Sequence, residues 1–329
     1  MTGSAPPSPF VGADRPRLAR RALLALGLGA AGPAGAEAPE RTARIVLGFP
    51  PGGVPELIAR QIAAGLRERY ASTVEIENRP GAGGRLAIEA AQGAAPDGLT
   101  MLLSPSSVLT LPGPLPPGQI TAVVGLAAQG LVLALGPEHP SRTLAEFVDW
   151  VRDRQGPVRF GVPGLGSLPR MAGSSIALGL GVQLQAEPFR GVAATLAALR
   201  GGQVSVAVLP PTGLAPLHRA GQLRLLANTG TTPLPSLPEV PSFASLGWPN
   251  LVIEERFDLF LPADTPVAIA GGLAVAAELT LITPEYTEAL ARADCMPAPA
   301  NGDQVGERLR EERARWEKLV QEQGLSVED

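Results

Sequence analysis

The sequence predicts an α/β protein with two domains. Strand and helix signals alternate through most of the 329 residues, as in parallel sheets whose strands are joined by helical crossovers. Glycine-containing loops directly follow several predicted strands, and parallel sheets bind ligands beyond the carboxyl ends of their strands. The length also suits two domains of roughly 100–200 residues each. We therefore expect two α/β units with a ligand cleft between them.

Composition excludes several classes of protein. The chain is 45% hydrophobic, too apolar for a disordered protein, and its net charge of −4 argues against a nucleic-acid partner. The single cysteine, Cys295, excludes an internal disulfide framework and any CxxC motif. His139 and His218 are the two histidines, which leaves little material for a metal site or a catalytic triad. We expect no metal and no cofactor, and catalysis is the less favoured interpretation.

Residues 1–36 have the pattern of a bacterial export signal. Four arginines between residues 15 and 21 precede an apolar run at 22–31, and a small-x-small site follows at Ala34-Gly35-Ala36. The apolar run is about half of the ~20 residues that a membrane span needs. We expect cleavage after Ala36 and a periplasmic protein, by the secretory or the twin-arginine route. A basic terminus of a cytosolic protein is the alternative.

The first unit has the signals of a βαβαβ arrangement. Apolar residues three and four positions apart predict a helix with one buried face, and turn signals follow at residues 81–84 and 96–98. Residues 104–120 are rich in proline, glycine and serine, so we expect a loop there. The elements expected in order are a strand at 44–49, a helix from Pro55 to Tyr70, a strand at 74–77, a helix ending near Ala94 and a strand at 100–103.

A second α/β unit follows, and the chain then returns to the first. The expected strands lie at 132–135, 158–161, 185–187, 204–209 and 223–228, with helices at 144–154, after Ser167, at 192–200 and before Ala220. A proline-rich connector at 233–241 leads to a last strand at 257–261 and to helices, the final one at 303–323. We expect Glu254 and Glu255 on a solvated face. The expected domains are residues 37–133 plus 254–329, and residues 134–253.

Three loops are candidates for ligand binding. Residues 50–54, 163–167 and 188–191 each contain glycine, follow a predicted strand and precede a predicted helix. Glycine lets the backbone approach a ligand closely, and the N–H groups at a helix start favour an anion. The alternative is that these glycines only form tight turns. The chain has no nucleotide-binding glycine fingerprint, no P-loop and no GxSxG nucleophile motif.

Longer segments are similar to one protein family. Residues 48–53 read GFPPGG, residues 77–84 read ENRPGAGG and residues 95–98 read APDG, in the order found in that family. The match continues through residues 161–167 and 188–191 and covers practically the whole chain after the export signal. The sequence resembles the substrate-binding receptors of tripartite tricarboxylate transporters, also called Bug receptors.

This resemblance implies a two-domain type II periplasmic-binding-protein fold, the Venus flytrap. Such a receptor closes on a small organic anion, typically a carboxylate, and passes it to the subunits of a membrane transporter without chemistry. We expect it to act as a monomer. The ligand-binding residues carried over by position are Gly52, Gly53, Val54, Ser104 and Ser106 from the first domain, and Gly166, Ser167, Arg170, Arg190 and Gly191 from the second.

The chain departs from the family pattern at several candidate positions. Val54-Pro55-Glu56 stands where the family usually has Thr-x-Asp, and Arg85 and Arg170 stand where asparagine and histidine are frequent. Arg256-Phe257-Asp258 replaces an aromatic-x-Gly. Arginine can hold a carboxylate through two parallel hydrogen bonds, so these changes favour an apolar ligand with a strongly held anionic group. The alternative is that the arginines lie on the rim and do not touch the ligand.

Two other functions stay open at this point. The chain could be a receptor that signals to a membrane sensor, which the sequence does not distinguish from uptake. It could also be an exported hydrolase that uses Ser104 or Ser167, although neither serine lies in a nucleophile motif.

Overall fold

A computed structural model describes residues 41–325, apart from residues 68, 114 and 116–118. The predicted export signal at residues 1–36 and its cleavage site after Ala36 lie outside the described residues.

Strands and helices alternate along the described chain. The strands are β1 (Thr42–Leu47), β2 (Thr73–Asn78), β3 (Thr100–Pro105), β4 (Ile120–Gly130), β5 (Val132–Leu135), β6 (Val158–Val162), β7 (Leu184–Pro188), β8 (Val206–Leu209), β9 (Arg224–Asn228), β10 (Glu254–Pro262) and β11 (Met296–Asn301). The α-helices are α1 (Gly53–Arg67), α2 (Arg85–Gln92), α3 (Ser106–Thr110), α4 (Leu144–Arg152), α5 (Leu168–Leu180), α6 (Val192–Arg200), α7 (Ala215–Arg219), α8 (Val267–Leu281), α9 (Pro284–Ala291) and α10 (Gly302–Gln323).

The strands form two separate sheets. The six-stranded sheet has the order β11-β4-β10-β3-β1-β2, and the five-stranded sheet has the order β7-β6-β8-β5-β9. We call the parts built on them the first and the second lobe. In the first lobe β1 is parallel to both β2 and β3, which confirms the predicted βαβαβ unit. In the second lobe β6 is parallel to both β7 and β8.

Two strands and a short helix were not expected from the sequence. The strand β4 consists largely of alanine, glycine and valine that are buried on both faces, so it has no alternating polar pattern. The strand β11 contains Pro297 and Pro299, which disfavour a strand, but it lies at a sheet edge where proline is tolerated. The prediction of a loop throughout residues 104–120 was wrong, because α3 lies within it.

The helix α10 packs against both lobes. Its first half contributes Val305 and Leu309 to a core of the first lobe, and its second half contributes Trp316 and Leu319 to the core of the second lobe. The guanidinium of Arg315 also donates to the carbonyls of Asn250 and Val252, just before the chain returns to the first lobe. A C-terminal helix that follows the first sheet therefore stabilises the second lobe as well.

The chain crosses between the sheets at two points that a buried threonine ties together. The N–H of Thr229 donates to the carbonyl of Leu131 at 2.8 Å, and the carbonyl of Thr229 accepts from the N–H of Ile253 at 2.9 Å. Its hydroxyl accepts from the N–H of Leu131 at 2.8 Å and donates to the carbonyl of Ile253. The expected domain boundaries at residues 133 and 253 lie beside these two crossings.

Gly130 has no room for a side chain at this crossing. A Cβ there would lie 2.5 Å from the nitrogen and 2.8 Å from the Cα of Gly230. Since both atoms are backbone, we expect Gly130→Ala to lower the free energy of unfolding by about 1–3 kcal/mol, measured by urea denaturation.

Gly306→Ala in α10 is the matched control. A Cβ there has no neighbour nearer than the Arg310 side chain at 3.6 Å, so alanine should raise stability by about 0.5–1 kcal/mol. An unchanged urea midpoint for Gly130→Ala would contradict the close packing of the crossing.

Candidate functional site

The loops that follow β1, β2 and β3 lie together at one edge of the first sheet. The side-chain amide of Asn78 donates to the carbonyl of Phe49 at 2.9 Å. Gly48 lies against the backbone of Gly84, which in turn lies against Val108 of α3. The fold therefore brings the starts of α1, α2 and α3 to the same edge, and with them the five candidate residues of the first lobe.

The start of α1 is shaped by two glycines and one acid. Gly52 and Gly53 have φ angles of 97° and 77°, which residues other than glycine rarely adopt. Nothing lies within 4 Å of where a Cβ of Gly52 would be. The N–H of Gly52 donates to the carboxylate of Glu56, which also pairs with Arg60. These contacts, led by the Gly52 N–H, lower the pKa of Glu56. Glu56 thus occupies the Gly52 N–H, while Gly53 and Val54 are the first residues of the helix, whose N–H groups have no intrahelical acceptor.

The candidate serines of the first lobe are buried. The hydroxyl of Ser104 donates to the carbonyl of Pro105 at 3.1 Å, and that of Ser106 lies 3.5 Å from Glu255. Ser107 holds the same carboxylate more tightly, through its N–H at 3.0 Å and its hydroxyl at 2.7 Å. The polar groups that begin α3 are therefore joined to β10, the strand that returns from the second lobe.

Glu255 belongs to an acidic cluster in which Asp258 is buried and Glu255 and Glu312 are half-buried. Burial raises the pKa of Glu255 to about 7. The hydrogen bonds from Ser107 lower this pKa, and the nearby charge of Glu312 raises it. Burial likewise raises the pKa of Asp258 to about 6, although Arg308 donates to both of its carboxylate oxygens at 2.7 and 2.8 Å. Arg308 also pairs with Glu312 at 2.9 Å. The cluster connects β10 with α10 directly behind α3.

The expectation that Glu254 and Glu255 lie on a solvated face was wrong. The Glu254 side chain is 8% exposed and pairs with Arg256 at 2.6 Å. It also accepts from the N–H and the hydroxyl of Thr231, each at 2.7 Å. Arg256 borders a cavity of about 170 Å³ between the lobes, whose lining includes none of the ten candidate residues. Single-sequence reasoning has no signal for such pairs, since their burial depends on residues far away in the chain.

The candidate loops of the second lobe lie side by side. The N–H of Gly191 donates to the carbonyl of Pro163 at 3.1 Å, which joins loop 188–191 to loop 163–167. Gly191 is the N-cap of α6 with φ of 89°, and nothing lies within 4 Å of where its Cβ would be. Ser167 is the N-cap of α5, and its hydroxyl donates to the carbonyl of Gly164 at 2.6 Å. Two helix starts therefore lie next to each other at the carboxyl edge of the second sheet.

The remaining candidate residues of the second lobe, Gly166, Arg170 and Arg190, lie in different environments. Gly166 and Arg190 are exposed. Arg170 is 5% exposed and donates to the carbonyl of Leu165 at 3.4 Å, so it contacts its own loop. Arg85 begins α2 and lies close to Gly113. Arg190 therefore differs from Arg85, Arg170 and Arg256, because it is exposed and lies beside a helix start.

The described part of the chain contains no cluster of three metal-ligating side chains. Both histidines use Nδ1 to accept backbone N–H groups, His139 from Ser141 at 3.1 Å and His218 from Leu225 at 3.2 Å. The hydroxyls of Ser104 and Ser167 donate to backbone carbonyls instead of a histidine. No single helix within the described ranges could span a membrane, although α8 and α9 together have the length and composition, with a 70° bend between them.

Comparison with known proteins decides the family. The sequence profile described as tripartite tricarboxylate transporter family receptor matches residues 58–325. The chain belongs to this family. A protein of the gbd 5′ region of Cupriavidus necator is 32% identical over 91% of this chain and 94% of its own length. The protein BugT of Bordetella pertussis is 29% identical over 93% of this chain and 98% of its own length.

Solved structures agree with the family and with the predicted two-domain type II fold. Rpa4515 of R. palustris, solved with adipate, has a TM-score of 0.75 and 27% identity over 88% of this chain and 99% of its own. MatC of Rhodopseudomonas palustris, solved with malate, has a TM-score of 0.69 and 26% identity over 86% and 99%. The receptor predicted from the sequence segments is thereby confirmed as a periplasmic solute-binding protein of this family.

The acidic cluster of this receptor generates a pH prediction. The pKa of Glu255 is about 7 in the folded protein and ~4.3 in an unfolded chain, so folding favours its protonated form. Protonated Glu255 therefore adds to stability below its pKa in the unfolded chain, and this contribution is lost as the pH rises through its pKa in the folded protein. We expect the free energy of unfolding to fall between pH 5 and pH 8, and Glu255→Gln to make that fall smaller by on the order of 2 kcal/mol.

The measurement is urea denaturation across this pH range. Glu89→Gln, which changes an exposed glutamate on α2, should keep the wild-type fall. Part of the fall should also remain in Glu255→Gln, because the raised pKa of Asp258 acts with the same sign. Identical pH profiles for wild type and Glu255→Gln would show that this carboxyl does not titrate as its burial requires.

Proposed function

We propose that the protein captures a small carboxylate between its two lobes and delivers it to the subunits of a membrane transporter. The observation that carries this proposal is the position of the starts of α1, α5 and α6, each at the carboxyl edge of its sheet and each next to a candidate loop. The N–H groups and the helix dipole at such starts favour a carboxylate. MatC and Rpa4515, whose structures hold malate and adipate, support the same ligand class.

The three helix starts provide the contacts. Gly53 and Val54 supply N–H groups from the first lobe, and Gly166, Ser167 and Gly191 border the site from the second. Nothing lies within 4 Å of where a Cβ of Gly191 would be, so a ligand oxygen can reach the backbone. Each hydrogen bond to a charged group contributes about 1.5–3 kcal/mol. Several such bonds from both lobes can hold a carboxylate without a metal.

Arg190 binds the second charge of the ligand in this proposal. It is exposed at the start of α6 and carries a planar guanidinium, which suits a carboxylate better than a lysine would. Malate and adipate both carry two carboxylates. A dicarboxylate can therefore place one group at the helix starts and the other on Arg190. Arg170 acts indirectly, by holding loop 163–167 through the carbonyl of Leu165.

The lobes close on the ligand by rotation about the two crossings at Leu131 and Ile253. The moving units are residues 37–133 with 254–329, and residues 134–253. A ligand that touches both lobes favours the closed state by the contacts that it makes only there. The protein is exported with removal of residues 1–36 and works as a monomer.

Retained ligand is the first test. Residues 37–329 should carry a small acid through purification, detected as a mass that native mass spectrometry loses on gentle unfolding. Malate and adipate should raise the melting temperature of the emptied protein, because they bind only the folded state. If no member of a panel of carboxylates stabilises the protein, the proposed ligand class is wrong, although the fold stands.

Arg190→Gln tests the second charge site. Loss of a charge-assisted hydrogen bond should weaken the binding of the stabilising dicarboxylate at least tenfold, measured by calorimetry. Arg159→Gln, which changes an exposed arginine of β6 in the same lobe, is the matched control and should bind as wild type does. Equal affinities for wild type and Arg190→Gln would remove Arg190 from the site.

A further inference from the structure

The second lobe has a cavity of about 440 Å³ far from the proposed cleft. This volume lies within the ~300–1,000 Å³ typical of small-molecule sites. The cavity is bordered by the ends of β5, α4 and α6, whereas the cleft loops precede α5 and α6. The nine residues of α6 separate Gly191 at one end from Arg200 at the other, a length of roughly 13 Å. The cavity therefore lies at the opposite end of the lobe from the cleft.

Two buried N–H donors lie in the lining without an acceptor. Nδ1 of His139 accepts the N–H of Ser141, so the proton of the neutral imidazole is on Nε2. Nε2 of His139 and Nε1 of Trp150 have no hydrogen-bond partner within the described residues. The two rings are in contact, with centroids 4.2 Å apart, and His139 is 7% exposed. Buried donors in folded proteins almost always have an acceptor, so a pair without one needs an explanation.

The surroundings of these donors are positively charged. Arg154 and Arg200 line the cavity, and Glu138 is the one carboxylate among the lining residues that the structure describes. Burial, followed by the charges of Arg224 and Arg154, lowers the pKa of His139 to about 4. The imidazole is therefore neutral at ordinary pH, and apart from Glu138 the polar side chains of the lining are mostly donors and cations. An anion with acceptor oxygens fits this set.

The cavity also has an apolar wall and an exposed arginine stacked on Trp150. Pro137 and Pro140 contribute accessible apolar surface, above the buried side chains of Leu199 and Val204. The exposed guanidinium of Arg154 lies over the Trp150 ring, 4.2 Å from its centroid. A cation–π contact at an exposed position is weak, so an anion can draw Arg154 off the ring. Nε1 of Trp150 and Nε2 of His139 are both buried, so a ligand that accepts from them requires a movement of this kind.

We infer that this cavity is a second binding site, for a small carboxylate with a flat apolar body. Arg154 and Arg200 pair with the carboxylate, and the N–H groups of Trp150 and His139 donate to its oxygens. The apolar body lies against Pro137 and Pro140. The site uses no residue of the proposed cleft, so it does not depend on the proposed transport function.

Titration with benzoate tests this site in the protein comprising residues 37–329. The readout is the indole N–H signal in a proton–nitrogen NMR spectrum, where three tryptophans give three signals. Trp150→Phe assigns the signal of Trp150 and keeps an aromatic ring in place. We expect benzoate to move that signal downfield in a saturable way, as a new hydrogen bond to the indole requires.

Arginine variants make the test specific. Arg154→Gln and Arg200→Gln should each weaken benzoate binding about tenfold, while Arg159→Gln, an exposed arginine outside the cavity, should leave it unchanged. The inference is overturned if the Trp150 signal does not move, or if both cavity variants bind benzoate as wild type does. It is also overturned if the shift disappears in Arg190→Gln, because benzoate would then act from the cleft. Failure of the dicarboxylate panel would leave this result unaffected.

Discussion

The hydrogen bonds of Thr229 hold together the two places where the chain passes between the sheets. One residue satisfies backbone groups of both Leu131 and Ile253, in a buried position where an unsatisfied group would cost about 1–3 kcal/mol. Gly130 and Gly230 allow the crossing segments to touch. The two lobes are thereby joined along one line, which is the axis of the proposed closure.

The strand β10 connects this crossing to the acidic cluster and to the start of α3. β10 begins directly after the crossing at Ile253, and its Glu255 is held by Ser107 at the start of α3. Asp258, three residues further on, is held by Arg308 of α10. Since α10 also packs on the second lobe through Trp316, three elements of the first lobe are fixed at the hinge. These contacts fix the start of α3, which lies at the same edge of the sheet as the start of α1, to β10 and α10.

Most features that depend on short stretches of sequence were predicted correctly. Features that depend on contacts between distant parts of the chain were not. The βαβαβ unit and the glycine loops follow from periodicity and turn residues that lie within short stretches of sequence. β4 lacks the alternating pattern because both of its faces are buried, and β11 contains prolines that only its edge position permits. The burial of Glu255 and Asp258 arises from α3 and α10, which are distant in sequence. The sequence alone indicated the three glycine loops, whereas the individual candidate residues, including Ser104 and Ser106, came from the family resemblance.

The distance between the lobes tests the central claim most directly. Burial raises the pKa of Cys295 to about 12, so spin labels should react only with cysteines introduced at exposed Glu89 in the first lobe and exposed Gln185 in the second. Pulsed electron resonance would then measure their separation with and without the carboxylate that stabilises the protein most. Closure about the Thr229 crossing predicts a shorter, narrower distance distribution with ligand. Saturated binding with an unchanged distribution would contradict it.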